Sequence, residues 1–193
     1  MKALNISLFS LIFFIFFSCR KQSNNEFEQN VFDDVFISAV DSTLIDMRTY
    51  LGFEYSKKQI DSIKMDTLNR VIAFNEKIEG VVNIFKEDLP KNYKPISDSI
   101  WTFNLTKFNT QKYIFKKSSE LSTENELIEW QKKYPKFVGS LAFSQIYFDK
   151  ERNNGAFQVA YNCGSKCGLG YVVYIKKEHK KWKIQTVKRT WIS

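Results

Sequence analysis

Apolar residues recur at helical spacing early in the chain, at Phe27, Val31, Val35, Ala39 and Val40, followed by Leu44, Ile45 and Met47. Positions three and four apart share one helix face, so the pattern predicts an amphipathic helix of roughly six turns ending before Gly52. Residues 53–69 are polar and leave their element open. Arg70-Val71-Ile72-Ala73-Phe74 is short and β-branched, which predicts a strand. Val81 to Phe85 fits either a strand or a helix, and Pro90 and Pro95 bracket a loop. Ile100 to Leu105 and Tyr113 to Phe115 read as further strands. Thr123, with Glu126 three residues on, has the spacing of a capping box. A second helix is therefore expected through Leu127, Ile128 and Trp130 until Pro135 stops it.

The last third is more regular. Leu141 to Phe148, Ala156 to Tyr161, Leu169 to Ile175 and Trp182 to Ile192 are strand-like runs. Asn153-Asn154-Gly155 predicts a turn between the first two. In the final run Trp182, Ile184 and Thr186 alternate with Lys183, Gln185 and Lys188, as in a sheet with one wet face. Strands in a row joined by short connections form an antiparallel meander. The expected fold class is α+β: an N-terminal amphipathic helix and a second helix packed on an antiparallel C-terminal β-meander. Helix followed by meander is also the order of cystatin-like and NTF2-like cones, an analogy of fold alone.

The first residues follow a different pattern. Met1-Lys2 is basic, and Leu4 to Phe17 is apolar but for Asn5, Ser7 and Ser10. A helix needs ~20 apolar residues to cross a bilayer, so this shorter run suits the core of a secretory signal peptide. It ends in Phe16-Phe17-Ser18-Cys19. An ordinary cleavage site takes small residues at the first and third positions before the cut, and Phe16 is too large. The segment instead resembles the bacterial lipobox, whose cysteine is acylated and becomes the new N-terminus; Phe16 and Phe17 depart from its usual residues. An uncleaved hydrophobic anchor is the alternative. The expected organisation is a lipoprotein signal peptide at 1–18, a lipid-anchored tether at 19–26 starting at the lipidation site Cys19, and one domain at 27–193. Arg20 to Asn25 are all polar or charged and bury too little to fold. They lack the acidic cluster that resembles the surface-export signal of Bacteroidota lipoproteins, which favours an outer-membrane position facing the periplasm.

Export changes the meaning of the cysteines and of the charge. Cys163 and Cys167 remain as a pair in an oxidising compartment, with the flexible Gly164-Ser165-Lys166 between them, which predicts a disulfide. So small a loop stabilises by ~2 kcal/mol in the chain-entropy account. Thioredoxin-like sites space their thiols differently, and two thiols with one distant imidazole do not make a zinc tetrahedron. No cofactor or metal is expected. The net charge is +8. In a cytoplasmic chain this would point to nucleic acid; in the envelope the acidic partners are anionic lipid headgroups or acidic polysaccharide, and no nucleic acid is expected. The lysines are spread along the chain, which fits a solvated surface. Apolar residues at 44% are enough to bury a core.

Catalytic constellations are sparse. His179, the one histidine, lies in Lys176-Lys177-Glu178-His179-Lys180-Lys181, which reads as a solvated hairpin tip, so a serine–histidine–acid triad lacks a sheltered base. No phosphate-cradling glycine loop is present. Asp33 and Asp34 point about 100° apart on a helix and do not converge. Glu87-Asp88 precede Pro90 in a loop. Trp101, Trp130, Trp182 and Trp191 suit a core, although such rings also line sugar and lipid sites.

From the second helix onward the chain resembles a group of uncharacterised Bacteroidota lipoproteins. The residues that carry this are Phe143 to Phe148, Ala156 to Tyr161, Cys163-Gly164 with Cys167-Gly168, Tyr171 to Ile175, Trp182 to Ile184 and the terminal Trp191-Ile192-Ser193. The helix around Phe32 to Arg48 is similar too. The resemblance implies no activity. Two classes of function are compatible with these features. One is a lipid-anchored binding or interaction module for an envelope protein or small ligand. The other is an envelope hydrolase using carboxylates. A concave pocket with converging carboxylates and a raised acid pKa would favour the enzyme, and an apolar patch, or an apolar cavity without acids, would favour binding.

Overall fold

A computed structural model describes residues 22–46, 48, 55–80, 89–97, 99–120, 126–164 and 167–193. Cys19, Met47, Val81 to Phe85, Glu87, Asp88 and Thr123 lie outside the described residues.

The first helix, α1, spans Asn24–Thr43. The Ser23 side chain accepts from the Glu26 N–H at 3.1 Å, an N-cap that satisfies a donor the helix cannot. Asn24 Nδ2 donates to the Ile96 carbonyl at 2.5 Å. These bonds draw Asn24 to Glu26, expected as tether, into the helix. Its buried face is Glu28, Val31, Phe32, Val35, Phe36, Ala39, Val40 and Thr43. The helix stops at Thr43, earlier than the apolar pattern implied, because Leu44 turns to an extended conformation. Beyond it, the Tyr161 hydroxyl donates to the Ile45 carbonyl at 2.6 Å.

A short helix, α2 (Lys57–Met65), occupies the polar stretch whose element the sequence left open. Ser56 and Gln59 form a reciprocal capping box, and the helix has no buried residue. Polar bonds hold its end instead: Arg48 Nη2 donates to the carbonyls of Asp66 at 2.7 Å and Ile63 at 3.2 Å.

The strands are β1 (Arg70–Phe74), β2 (Lys77–Ile78), β3 (Lys94–Pro95), β4 (Trp101–Thr102), β5 (Tyr113–Lys117), β6 (Phe137–Phe143), β7 (Tyr147–Phe148), β8 (Asn154–Gly164), β9 (Cys167–Glu178) and β10 (Lys181–Ile192). The third helix, α3, spans Glu126–Lys133. Among the described residues, eight strands form one sheet with the path β10-β9-β8-β6-β1-β5, and β7 joins β8 to β3. The antiparallel run through β6, β8, β9 and β10 is the expected meander. Strand β1 lies between β5 and β6 and pairs with both in parallel, so the sheet is mixed.

One face of the sheet carries Ile72, Phe74, Leu141, Phe143, Phe157, Val159, Tyr161, Val173 and Ile175 against the buried face of α1. The other face has two smaller covers. Trp130 of α3 packs with Val71, Ala73 and Phe137, and Leu89 packs with Tyr147, Ala156 and Val172. The α+β class therefore holds.

Four local expectations change. The run Leu141–Phe148 is not one strand: Ser144, Gln145 and Ile146 stand opposite only Phe157 and Gln158, a bulge between β6 and β7. Ile100 to Leu105 contributes only β4, followed by a 3₁₀ turn at Leu105–Phe108. The turn before β8 closes ahead of Asn153-Asn154-Gly155, at Asp149 to Asn153. The Asp149 carboxylate gathers the Asn153 and Asn154 N–H groups at 2.8 and 3.1 Å, and Arg152 takes the left-handed conformation. In β10 the register shifts between Ile184 and Thr186 and again between Arg189 and Trp191. Thr186 is thereby turned outward to exposure, and Val187 takes the core-facing place.

Candidate functional site

The packing of α1 leaves one carboxyl group in the core. Glu28 is 1% exposed. Its Oε2 accepts from Trp101 Nε1 at 2.9 Å, and its Oε1 accepts from the Ile146 backbone N–H in the bulge. A bulge leaves a backbone donor without a strand partner, and here the helix supplies the acceptor. Burial pushes this carboxyl up to about 7, against the pull of the Ile146 N–H and the Trp101 indole, which favour the ionised form. Among the described residues no second acid contributes to that shift. Around it the inner face is filled with rings: Phe32 lies 5.2 Å from Phe157, and Phe36 lies 5.1 Å from Phe74 and 4.5 Å from Phe108. Glu28 is thus a sealed structural carboxyl, unpaired with any acid among the described residues.

The opposite face of the sheet is open between its two covers. A groove of about 370 Å³ is lined by Asn75, Ser118, Ser140, Ala142, Ala160 and Asn162, with Leu141 at its floor. Its geometry follows from strand alternation: Leu141, Phe143, Val159 and Tyr161 face α1, so Ser140, Ala142, Ala160 and Asn162 face away. They are cross-strand neighbours, Ser140 beside Asn162 and Ala142 beside Ala160. Asn75 and Ser118 extend the wall just past the ends of β1 and β5. The two asparagine oxygens are engaged locally, accepting from the N–H of Lys77 at 3.2 Å and of Gly164 at 2.9 Å. The Ser140 hydroxyl donates to the Asn162 carbonyl at 3.4 Å, so the amide NH₂ groups and the Ser118 hydroxyl are the donors left for a ligand. The lining holds no charged side chain. Small pockets begin near 300 Å³, so the volume suits a small molecule or a short extended segment.

Compared with family models, curated proteins and solved structures, the chain finds no match in any of the three.

The sequence-predicted residues fall as follows. Cys163 and Cys167 lie at disulfide distance at the β8–β9 turn, with their Cα atoms 5.3 Å apart. Asp33 and Asp34 diverge: Asp33 meets Lys107 at 2.8 Å, whereas Asp34 accepts from Lys181 Nζ at 2.9 Å and the Trp182 N–H at 3.0 Å. His179 is exposed in the tight turn between β9 and β10, left-handed like its neighbour Lys180. Trp101, Trp130 and Trp182 are buried, while Trp191 lies across Gly170, where any Cβ would overlap its ring. Among the described residues no cluster of three or more His, Cys, Asp and Glu side chains stands ready to hold a metal ion. Among them, too, no helix is long and apolar enough to cross a membrane. The groove had no sequence signal of its own, because alanine, serine and asparagine on a strand read as an ordinary outward face.

Proposed function

We propose that this chain is a lipid-anchored, periplasm-facing binding module that takes a small polar, uncharged ligand, or a short polar segment of an envelope partner, in the groove over β6 and β8. The observation that carries this reading is the lining of that groove: amides, hydroxyls and alanines with no carboxylate to act as acid or base. A carboxylate hydrolase needs two acids flanking the scissile bond. Among the described residues, the one acid with a raised pKa is Glu28, sealed beneath α1 with no second described acid beside it. The lipid anchor at Cys19 rests on the N-terminal sequence pattern.

The test uses the purified full chain in detergent micelles with its alanine methyls isotopically labelled. Neutral N-acetylated oligosaccharides and uncharged tripeptides are titrated in. Saturable shifts of the Ala142 and Ala160 methyl signals are expected with one of these probes. Ala142→Trp fills the groove and should weaken that binding by at least about tenfold, a loss of ~1.4 kcal/mol, whereas Ala142→Ser should bind normally. Silence of both methyls with every probe would reject the groove as the site. Release of new reducing ends from an oligosaccharide would move the chain to the hydrolase reading.

A further inference from the structure

A second cavity, of about 340 Å³, opens at the N-terminal end of α1. Its polar lining includes Lys94 beside the Ile96 carbonyl that Asn24 holds, and Lys150 and Arg152 on the turn before β8. All three basic side chains are exposed. Among the described residues none of them forms a salt bridge. The Arg152 guanidinium stands 5.6 Å over the Phe27 ring in the first turn of α1, which ties the cavity to the point where the tether enters. The acid in the lining, Asp149, is committed to its turn. Burial pushes it up, but hydrogen bonds from Asn154, Asn153 and Arg152 prevail and hold it below the usual carboxylate range. Glu151 shares the turn but does not line the cavity.

The surroundings reinforce the same sign. Lys177 N–H donates to the Asn153 carbonyl at 2.8 Å, which brings exposed Lys176 and Lys177 alongside. Glu178, next in the strand, is neutralised by Lys183 at 3.1 Å. Ser99 donates to Asn25 at 3.2 Å, so the neighbouring Ile100, 61% exposed, sits at this end as well. A basic cavity with an apolar side chain beside it is the composition of a membrane-contacting surface.

Chain length decides which end of the molecule faces the lipid. Four residues separate Cys19 from Asn24, and the five steps between them span at most ~18 Å. Helix α1 is ~30 Å long at 1.5 Å per residue, so α2 at its far end stands well away from the anchor. We infer that the end bearing Lys94, Lys150 and Arg152 docks on the anionic phospholipid surface in which Cys19 is anchored, with headgroup phosphate in the cavity and Ile100 at the interface. This rests on the lipid-anchored reading above and adds an orientation to it. The groove over β6 and β8 is then presented by a domain seated on the membrane and not swinging on its tether.

The experiment reconstitutes the full chain into vesicles of purely zwitterionic phospholipid or of the same lipid with a third of anionic phosphatidylglycerol. Flotation with the zwitterionic vesicles reads the anchor itself. The rate of lysine acetylation, followed by mass spectrometry, reads the docking, with Lys57 and Lys58 on α2 as distal controls. Each basic side chain near an anionic surface is worth roughly fivefold in affinity, and three together on the order of a hundredfold. Acetylation of Lys94 and Lys150 is therefore expected to slow at least about tenfold on anionic vesicles, with Lys57 and Lys58 unchanged. High salt should restore the rate, and Lys94→Gln with Arg152→Gln should restore it at Lys150. Equal rates on the two vesicles, with flotation on both, would overturn the docking while leaving the anchor intact. Flotation on anionic vesicles alone would overturn the anchor and leave the charged contact standing. Equal slowing by inorganic phosphate on zwitterionic vesicles would assign the cavity to a free anion and overturn the membrane contact.

Discussion

Glu28 is a carboxyl group on the apolar side of a helix, and its placement has a consequence for stability. The unfolded chain releases its proton near 4.5, while the native group holds it to about 7. Between those values the native state binds more protons than the unfolded state, so raising the pH withdraws stability. The contribution is complete below pH 4.5 and gone once the pH has risen past about 7. At 1.36 kcal/mol per pH unit the loss is roughly 3 kcal/mol. Denaturant titrations at intervals across that window should show the fall. Glu28→Gln should flatten it, because an amide does not titrate there; the same slope in that variant would show that another group sets it. Glu28 shares a helix face with Phe32, Val35 and Ala39, but the apolar pattern of α1 did not single it out. What the sequence did not show was the bulge at Ile146 that needs an acceptor. Nothing in Ser144-Gln145-Ile146 marks an extra residue, since the bulge exists only in the register with β8.

Elements with a period of their own could be read directly from the chain. The buried face of α1, the strand β1 and the long strands β8 and β9 follow the apolar pattern closely. Elements held by polar bonds could not. Helix α2 has no buried residue, so no apolar stripe announces it, and only Ser56 with Gln59 marks its start. Turn placement likewise depended on Asp149, a cap that outweighs the Asn-Gly signal further on. The β8–β9 turn carries its own prediction. Replacing Cys163 and Cys167 by serine together removes a short covalent loop and should lower stability by about 2 kcal/mol. Hydrogen exchange should place the loosening at Asn162 to Leu169; a uniform loss along both strands would instead mean that the pair acts on the whole sheet.

At the scale of the molecule, the parallel insertion of β1 was beyond reach of pattern reading. Periodicity gives which face a strand buries, but not which strands lie beside it. Arg70–Phe74 pairs with residues more than forty positions later on both sides. Phe36 is where those distant parts meet: its ring lies within 5.5 Å of Phe74, Phe103, Phe108, Phe115 and Phe143. Phe36→Ala should therefore cost about 3–5 kcal/mol, as a large core truncation that α1 cannot close. Because one side chain bridges the helix and the sheet centre, the unfolding transition should move as a whole with its cooperativity retained. A variant that melts in two steps would show that α1 and the sheet are separable. The candidate groove belongs to this scale too, since its walls come from β6 and β8 and from the residues that follow β1 and β5, which only the completed sheet assembles.

The two register shifts in β10 matter beyond the packing of Val187. Strand β10 ends the sheet path, and a long outer edge of this kind is a template on which another chain can add a strand. Here the edge is broken twice and carries Lys188 and Arg189, both exposed and in no salt bridge among the described residues. Irregular spacing denies an incoming strand a continuous ladder, and like charges on a second copy repel it. Crowding many copies side by side on one surface is the condition under which open sheet edges polymerise; this edge is shaped so that neighbours stay neighbours.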